Sequence, residues 1–566
     1  MATPVWQRLA AAGTGYAVAS LLWPRGLPQR PCSRGDMTAM AWPRRPALCE
    51  GGAKRPGFEL GFVTDVEGNL EYWHRYVATS GVLRYGRRGD LELAHGGAHF
   101  VFGGDVVDKG PGDIRLAQEL VALKRRYPHR VWLLVGNRDL NKLRFAAELG
   151  AADLARPASE IPGPHWDPKA PTLGQHLAQV AQRKGVSPAE VDSRAERLRW
   201  MLLHTLGCPE TFEHRRRELA ELREAEIAAV TDEDVVESML REVGPGGSLL
   251  EYMQVANVAV VVGNTLFVHG AVDRRNMGFI PALSTRFELP RSPQGGEVLE
   301  GDSAHEWAAQ LNAFLRDGLA DYLVRQDWDP ERTTRGGEQL VALQNRAAMW
   351  GRSVISSCYS DGGVITSREA ARSGEEKVQR AEAASNALLF EGVCSDPRDE
   401  AVAAWLQRSG IHRIVVGHKP SGDCPAVLSA HYTGVEVVSA DTSFSGNGEG
   451  PDPRGCAVAA VTILGSREEN RLVIHGVLRD GRRYRSVLPL LPCGAAARPG
   501  QPPAQVQEAV AAGDALVGME LDGGWWVKAQ VEDGAEYLLC RGKGRRVEYR
   551  YVPATSDVLH SAVARL

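Results

Sequence analysis

Between residues 58 and 140 the chain alternates two hydrophobic periods. "FELGFVT", "AHFVFGGD" and "RVWLLVGN" are apolar runs of strand length, each ending in a polar, glycine-containing turn. "DIRLAQELVALKRRY", between the second and third runs, carries its apolar residues at helical spacing. This grammar predicts an α/β sheet, in which ligands bind beyond the carboxyl ends of the strands. The acidic turns of this region fall at such ends.

Residues 141 to 256 change character. "RAERLRWMLLHTL" and "EHRRRELAELREAEIAAV" predict a helical insertion, with the charges on a solvated amphipathic face. Strands resume in "VANVAVVVGNTLFVHGAV", and a mostly helical stretch covers residues 303 to 358. "RIVVGHKP" and "VEVVSADTSFSG" read as closing strands, followed by "GCAVAAVTI" and "RLVIHGVL". "CGAAARPGQPPAQ" is a Pro/Gly/Ala linker. Beyond it, four short strands with glycine turns predict a small antiparallel barrel of SH3-like or Tudor-like kind. Trp525 and Trp526 point to opposite faces of one strand there, so one of them fills the small core. The expected organisation is an N-terminal extension over 1–55, an α/β domain over 56–490 with the insertion at about 145–255, a linker at 491–507 and a β domain over 508–566.

Composition narrows the classes. At 566 residues the chain exceeds one typical core. The 66 basic and 70 acidic residues give a net charge of −4, with no nucleic-acid signature. Nine scattered cysteines, never in a CxxC pair, argue against a zinc ribbon or a disulfide framework and suit a reducing compartment. No apolar run is long enough to span a bilayer. Residues 1 to 35 hold no Asp or Glu but four arginines. A transit peptide, a short secretory signal and a disordered extension all fit that pattern, so the localisation, cytoplasmic or organellar, stays open.

The chemistry concentrates at the strand ends. "GFVTDVEGNLEYW" delivers Asp65 and Glu67 to the exit of an apolar run, and paired carboxylates there are costly unless a positive partner sits between them. Others follow in order: Asp105 and Asp108 in "GGDVVDKGP", Asn137 in "VGNRD", His269 in "FVHGAV" and His418 in "VVGHKP". Each alone is a weak sign, since a histidine after a strand is more often a hydrogen-bonded core residue and Gly-Asp turns are common. The series together resembles the calcineurin-like metallophosphoesterases, in the branch of protein phosphatases and diadenosine-tetraphosphatase-like enzymes. "SADTSFS" and "AAMWGR", which ends at Arg352, extend the resemblance across residues 58 to 480, interrupted by the insertion.

The resemblance implies a β-sandwich flanked by helices and two divalent metal ions, with a water or hydroxide between them as nucleophile. Carried over residue by residue, Asp65 and Glu67 hold the first metal, Asp105 bridges both, and Asn137, His269 and His418 hold the second. Arg352, Lys109 and Arg138 bind the substrate phosphate, and Asp108, Arg138 and Asp139 complete the catalytic set.

Two positions depart from the family. Glu67 replaces a metal-binding histidine, and a harder ligand favours Mn²⁺ or Mg²⁺ over Zn²⁺ or Fe; the alternative is that Glu67 turns away and the first metal is weak or absent. Arg138 replaces the histidine that protonates the leaving group. Arginine is a poor proton donor but a good electrostatic clamp, which turns the chemistry toward phosphoanhydrides and activated esters. Lys109, where arginine is commoner, costs bidentate grip on the phosphate. The expected activity is hydrolysis of a phosphorylated small molecule, nucleotide or phosphoprotein. A catalytically weakened binding scaffold and a protein serine/threonine phosphatase are the alternatives, and the C-terminal domain offers a surface for a protein partner. The insertion, directly downstream of Asn137, either overhangs the site as a cap or packs on the far side.

Overall fold

The computed structural model describes residues 57–164, 169–284 apart from 271 and 273–275, 296–343 apart from 300, 302 and 331–333, 400–442 apart from 419 and 430–433, 457–490 apart from 468 and 489, and 516–559 apart from 544 and 545. The N-terminal extension, the linker and Arg352 lie outside these residues.

The apolar runs become strands of a mixed α/β fold. Phe58–Val63 pairs in parallel with Ala98–Phe102, which pairs in parallel with Val131–Leu133. On its other side Phe58–Val63 pairs antiparallel with Val458–Gly465, and the sheet continues through Asn470–Val477 and Arg483–Val487. A second sheet runs Ala426–Leu428, Glu436–Ser439, Arg413–Val416, Thr265–Val268, Ala259–Val262, and its middle three strands are parallel.

The strand period of two decides which side chains face which layer. Leu60, Phe62 and Val101 share one apolar cluster with Phe267, Val415 and Val438 of the second sheet. Phe62 and Phe267 stack with centroids 5.6 Å apart. Val63, Phe100 and Phe102 point the other way, into a cluster with Trp73, Tyr76, Leu116 and Leu120. Those partners come from helices Leu70–Ser80 and Asp113–Arg126. The first of these begins where the Asn69 side chain accepts from the Tyr72 amide at 3.0 Å, and stops at Gly81, which takes a left-handed φ of 71°.

The expected insertion is helical, from Arg144–Glu148 to Ser248–Val255, with no strand among its described residues. It packs against the strand-end loops. The Thr211 hydroxyl donates to the Asp108 carbonyl at 2.5 Å. Glu218 accepts from the amides of Ile114 and Arg115 at 3.0 and 3.1 Å, capping helix Asp113–Arg126 from outside.

At the C-terminus the expected strands form, but among the described residues they do not close into a separate barrel. Glu520–Leu521, Trp525–Val531, Glu536–Lys543 and Arg546–Pro553 form an antiparallel run that extends the large sheet, joined where Tyr484 pairs with Val531. Alternating patterns in a barrel strand and in a sheet extension are the same, so the sequence cannot separate them. Trp526 is buried in the core, whereas Trp525 is half-buried beneath the Arg541 guanidinium, 4.6 Å from its ring centroid. Among the described residues no helix is long and apolar enough to cross a membrane.

Candidate metal centre

All the strand-end residues singled out above, Arg352 excepted, belong to one region. Asp65, Asp105 and Asn137 follow the three parallel strands of the first sheet, and His269 and His418 follow two parallel strands of the second. Contact between the two groups is direct: the His418 amide donates to Asp65 Oδ2 at 2.9 Å. Two sets of potential ligand atoms each lie within 4.8 Å of one another, Asp65–Glu67–Asp105 and Asp105–His269–His418. Asp105 belongs to both.

The backbone here is held in unusual conformations. Asp65, Glu67, Asp105, Asp108 and His418 have φ values of 54°, 51°, 57°, 119° and 68°. Only two other non-glycine residues among those described, Glu224 and Glu532, have positive φ. Such conformations cost about 1–3 kcal/mol each and persist where the surroundings over-determine them, typically at functional sites. Gly136 lets the turns meet, because a Cβ there would fall 2.1 Å from Asp105 Oδ1.

Several of these side chains are oriented by partners. His269, fully buried, donates from Nδ1 to the Gly103 carbonyl at 2.8 Å, which leaves Nε2 facing Asn137 Oδ1 at 3.1 Å and Asp105 Oδ2 at 3.4 Å. The His269 and His418 rings lie 5.3 Å apart. Asp65 Oδ2 accepts from the Thr64 hydroxyl at 2.5 Å. Asp105 Oδ1 accepts from the Arg138 amide at 2.9 Å. Two imidazoles, an amide oxygen and carboxylates are a donor set that fits a divalent transition-metal ion.

The electrostatics agree. Burial and the neighbouring Asp441 carboxylate push Asp65 well above the usual carboxylate range. Burial works against charging His269, yet Asp105 beside it raises the imidazole to about 10. Burial also opposes ionisation of Asp105, but His269 and Arg138 outweigh it and hold that carboxyl below its ordinary value. The cluster therefore favours any proton or cation that enters it.

The remaining predicted residues take distinct places. Arg138 reaches Glu67 Oε1 with Nε at 2.5 Å and Asp108 Oδ2 with Nη1 at 3.1 Å. Lys109 is buried, its amide donating to the Glu67 carbonyl at 2.7 Å. Asp139, expected among the catalytic residues, is fully buried and directed at backbone: it accepts from Gly136 and Val106 amides at 2.7 and 2.8 Å and from Asp105 at 3.1 Å. It fixes the turn that presents Asp105. Three neighbours escaped the sequence reading. Lys142 donates to Asp108 at 2.7 Å, and its spacing of four from Arg138 was the available signal. Thr64 and Asp441 also adjoin Asp65; the Asp-Thr pair in "SADTSFS" was the signal for Asp441.

No family model and no curated protein matches the chain. Among solved structures, a cold-active protein-tyrosine phosphatase of a psychrophilic Shewanella species is similar at 14% identity and a TM-score of 0.33, over 76% of this chain and 81% of that one. A protein serine/threonine phosphatase from Saccharomyces cerevisiae, with similarity to human phosphatase PP5, is similar at 11% identity and a TM-score of 0.26, over 79% and 82%. Likeness of that size carries no functional argument, which rests on the strand-end residues themselves.

Proposed function

We propose that the chain is a metal-dependent phosphoesterase of the calcineurin-like kind, hydrolysing a phosphate ester or phosphoanhydride. The observation that carries this reading is the pair of ligand sets sharing Asp105, built on strained strand-end turns from two sheets. Asp105, Asn137, His269 and His418 would hold a divalent ion, with Asp65 and Glu67 beside them; Mn²⁺ suits this oxygen-rich set. When bound, such an ion lowers the pKa of water and neutralises phosphoryl oxygens. The chain's own groups supply the rest. Gly103 fixes the tautomer of His269, and Asp139 fixes the turn bearing Asp105. Arg138, 17% exposed, offers charge but no transferable proton. A leaving group that departs as a stable anion is therefore preferred to a serine or threonine alkoxide. Nucleotide polyphosphates fit that requirement better than phosphoproteins. The Thr211–Asp108 contact brings the insertion beside the site, in keeping with a cap that favours small substrates.

The test is turnover of p-nitrophenyl phosphate with added Mn²⁺, next to Asp105→Asn. Nitrophenolate leaves without a proton, so the assay isolates the metal centre. Metal-dependent turnover should fall at least about a hundredfold in the variant. A folded chain inert with every divalent ion would favour the binding-scaffold reading, which the Arg138–Glu67 pair supports. Faster hydrolysis of a phosphoserine peptide than of a dinucleoside polyphosphate would instead make it a protein phosphatase.

A further inference from the structure

Resting on the reading just given, we infer that the Arg138 guanidinium stands in for the first metal, so that the chain binds one divalent ion where its resemblance implies two. Arg138 Nε lies 2.5 Å from Glu67 Oε1 and 3.6 Å from Asp105 Oδ2, and both carboxylates belong to the Asp65–Glu67–Asp105 set. Nη1 is 3.1 Å from Asp108 Oδ2. One planar cation thus reaches two of the three ligands of that set and a carboxylate beside it.

The guanidinium is not a loose surface group. It projects from the short helix Asn137–Asn141, whose N-terminal turn is tied to Asp105 through the Arg138 amide and through Asp139. Asp108 is in turn held by Lys142. Glu67 and Asp108 are almost fully buried, so their bonds to Arg138 are shielded from water. A divalent ion ligated by Asp65, Glu67 and Asp105 would sit against this guanidinium and be repelled by it at short range.

The Asp105–His269–His418 set is different. Arg138 touches it through Asp105, and with Asn137 Oδ1 it offers four donor side chains, enough for one ion. The substitution at position 138 therefore does two things at once. It removes a proton donor, and it places a permanent unit charge where an exchangeable double charge would otherwise bind.

The experiment is metal stoichiometry by elemental analysis after equilibrium dialysis against Mn²⁺, with electron paramagnetic resonance of the same samples. Wild-type chain should hold one ion with the spectrum of isolated Mn²⁺. Arg138→Ala and Arg138→Gln should each hold two, with the spin-coupled signature of neighbouring ions. Circular dichroism establishes that the variants are folded. Adding Asp65→Asn to whichever folded variant gains the ion should remove it again and so place it. Two ions in the wild type, or one ion in a folded Arg138 variant, would overturn the inference while leaving the phosphoesterase reading intact. No ion in any of these proteins would overturn both.

Discussion

Asp139 was expected among the catalytic residues, and in the structure its carboxylate is turned to backbone. Its carboxylate collects the amides of Gly136, Val106 and Asp105 in a place water does not reach. Asp139→Ala would leave those donors unsatisfied, and we expect a loss of about 3 kcal/mol or more in urea unfolding. Asp139→Asn, which keeps one acceptor oxygen, should lose less. A purely chemical role would leave both unfolding curves unmoved. The residue scale was also where sequence reading worked best. Asp65, Asp105, His269 and His418 each end an apolar run in a polar turn, a weak sign alone, and it was their order as a series that made them legible. The bond from Arg138 to Glu67 was not, since the two are far apart in sequence and only the meeting of two turns joins them.

Among the elements, the helical insertion is bound to helix Asp113–Arg126 by charge as well as by packing. Glu218 has no solvent exposure; it caps helix Asp113–Arg126 and lies 3.5 Å from Arg215, which is itself 3.3 Å from Asp113. Removing one member of such a set strands the others in a low-dielectric interior. Glu218→Ala should cost about 3 kcal/mol, and the amides of Ile114 and Arg115 should lose hydrogen-exchange protection first. Unchanged protection at those amides would mean that the insertion is held by its apolar face alone. The insertion's helices were legible from their period, because 3.6-residue spacing survives any docking direction. Their place beside the Asp108 loop was not, because a charged helix face gives no sign of which partner will cover it.

For the molecule as a whole, the C-terminal strands brace the centre rather than standing apart. Lys528, almost fully buried, donates to the Ser421 carbonyl, and Ser421 in turn bonds the Asp441 carbonyl through its amide and hydroxyl at 2.7 and 2.8 Å. Gly422 lies so close to these strands that a Cβ would fall 2.2 Å from the Tyr549 hydroxyl. This loop carries His418. Lys528→Met should loosen it and weaken Mn²⁺ binding roughly fivefold, about 1 kcal/mol, as read by metal titration. Equal affinity would show that the loop stands without its brace.

The central pairing also sets a timetable for synthesis. Gly61 pairs with Thr462, roughly 400 residues later, so the first strand has its antiparallel neighbour only when most of the chain has left the ribosome. At about 5–20 residues per second that wait is roughly 20–80 s, during which one edge of a buried strand stays open. His418 and Asp441 emerge in the same late interval, so a nascent chain cannot assemble the candidate metal centre early. That open edge needs shielding from aggregation for most of translation, before the candidate site can form.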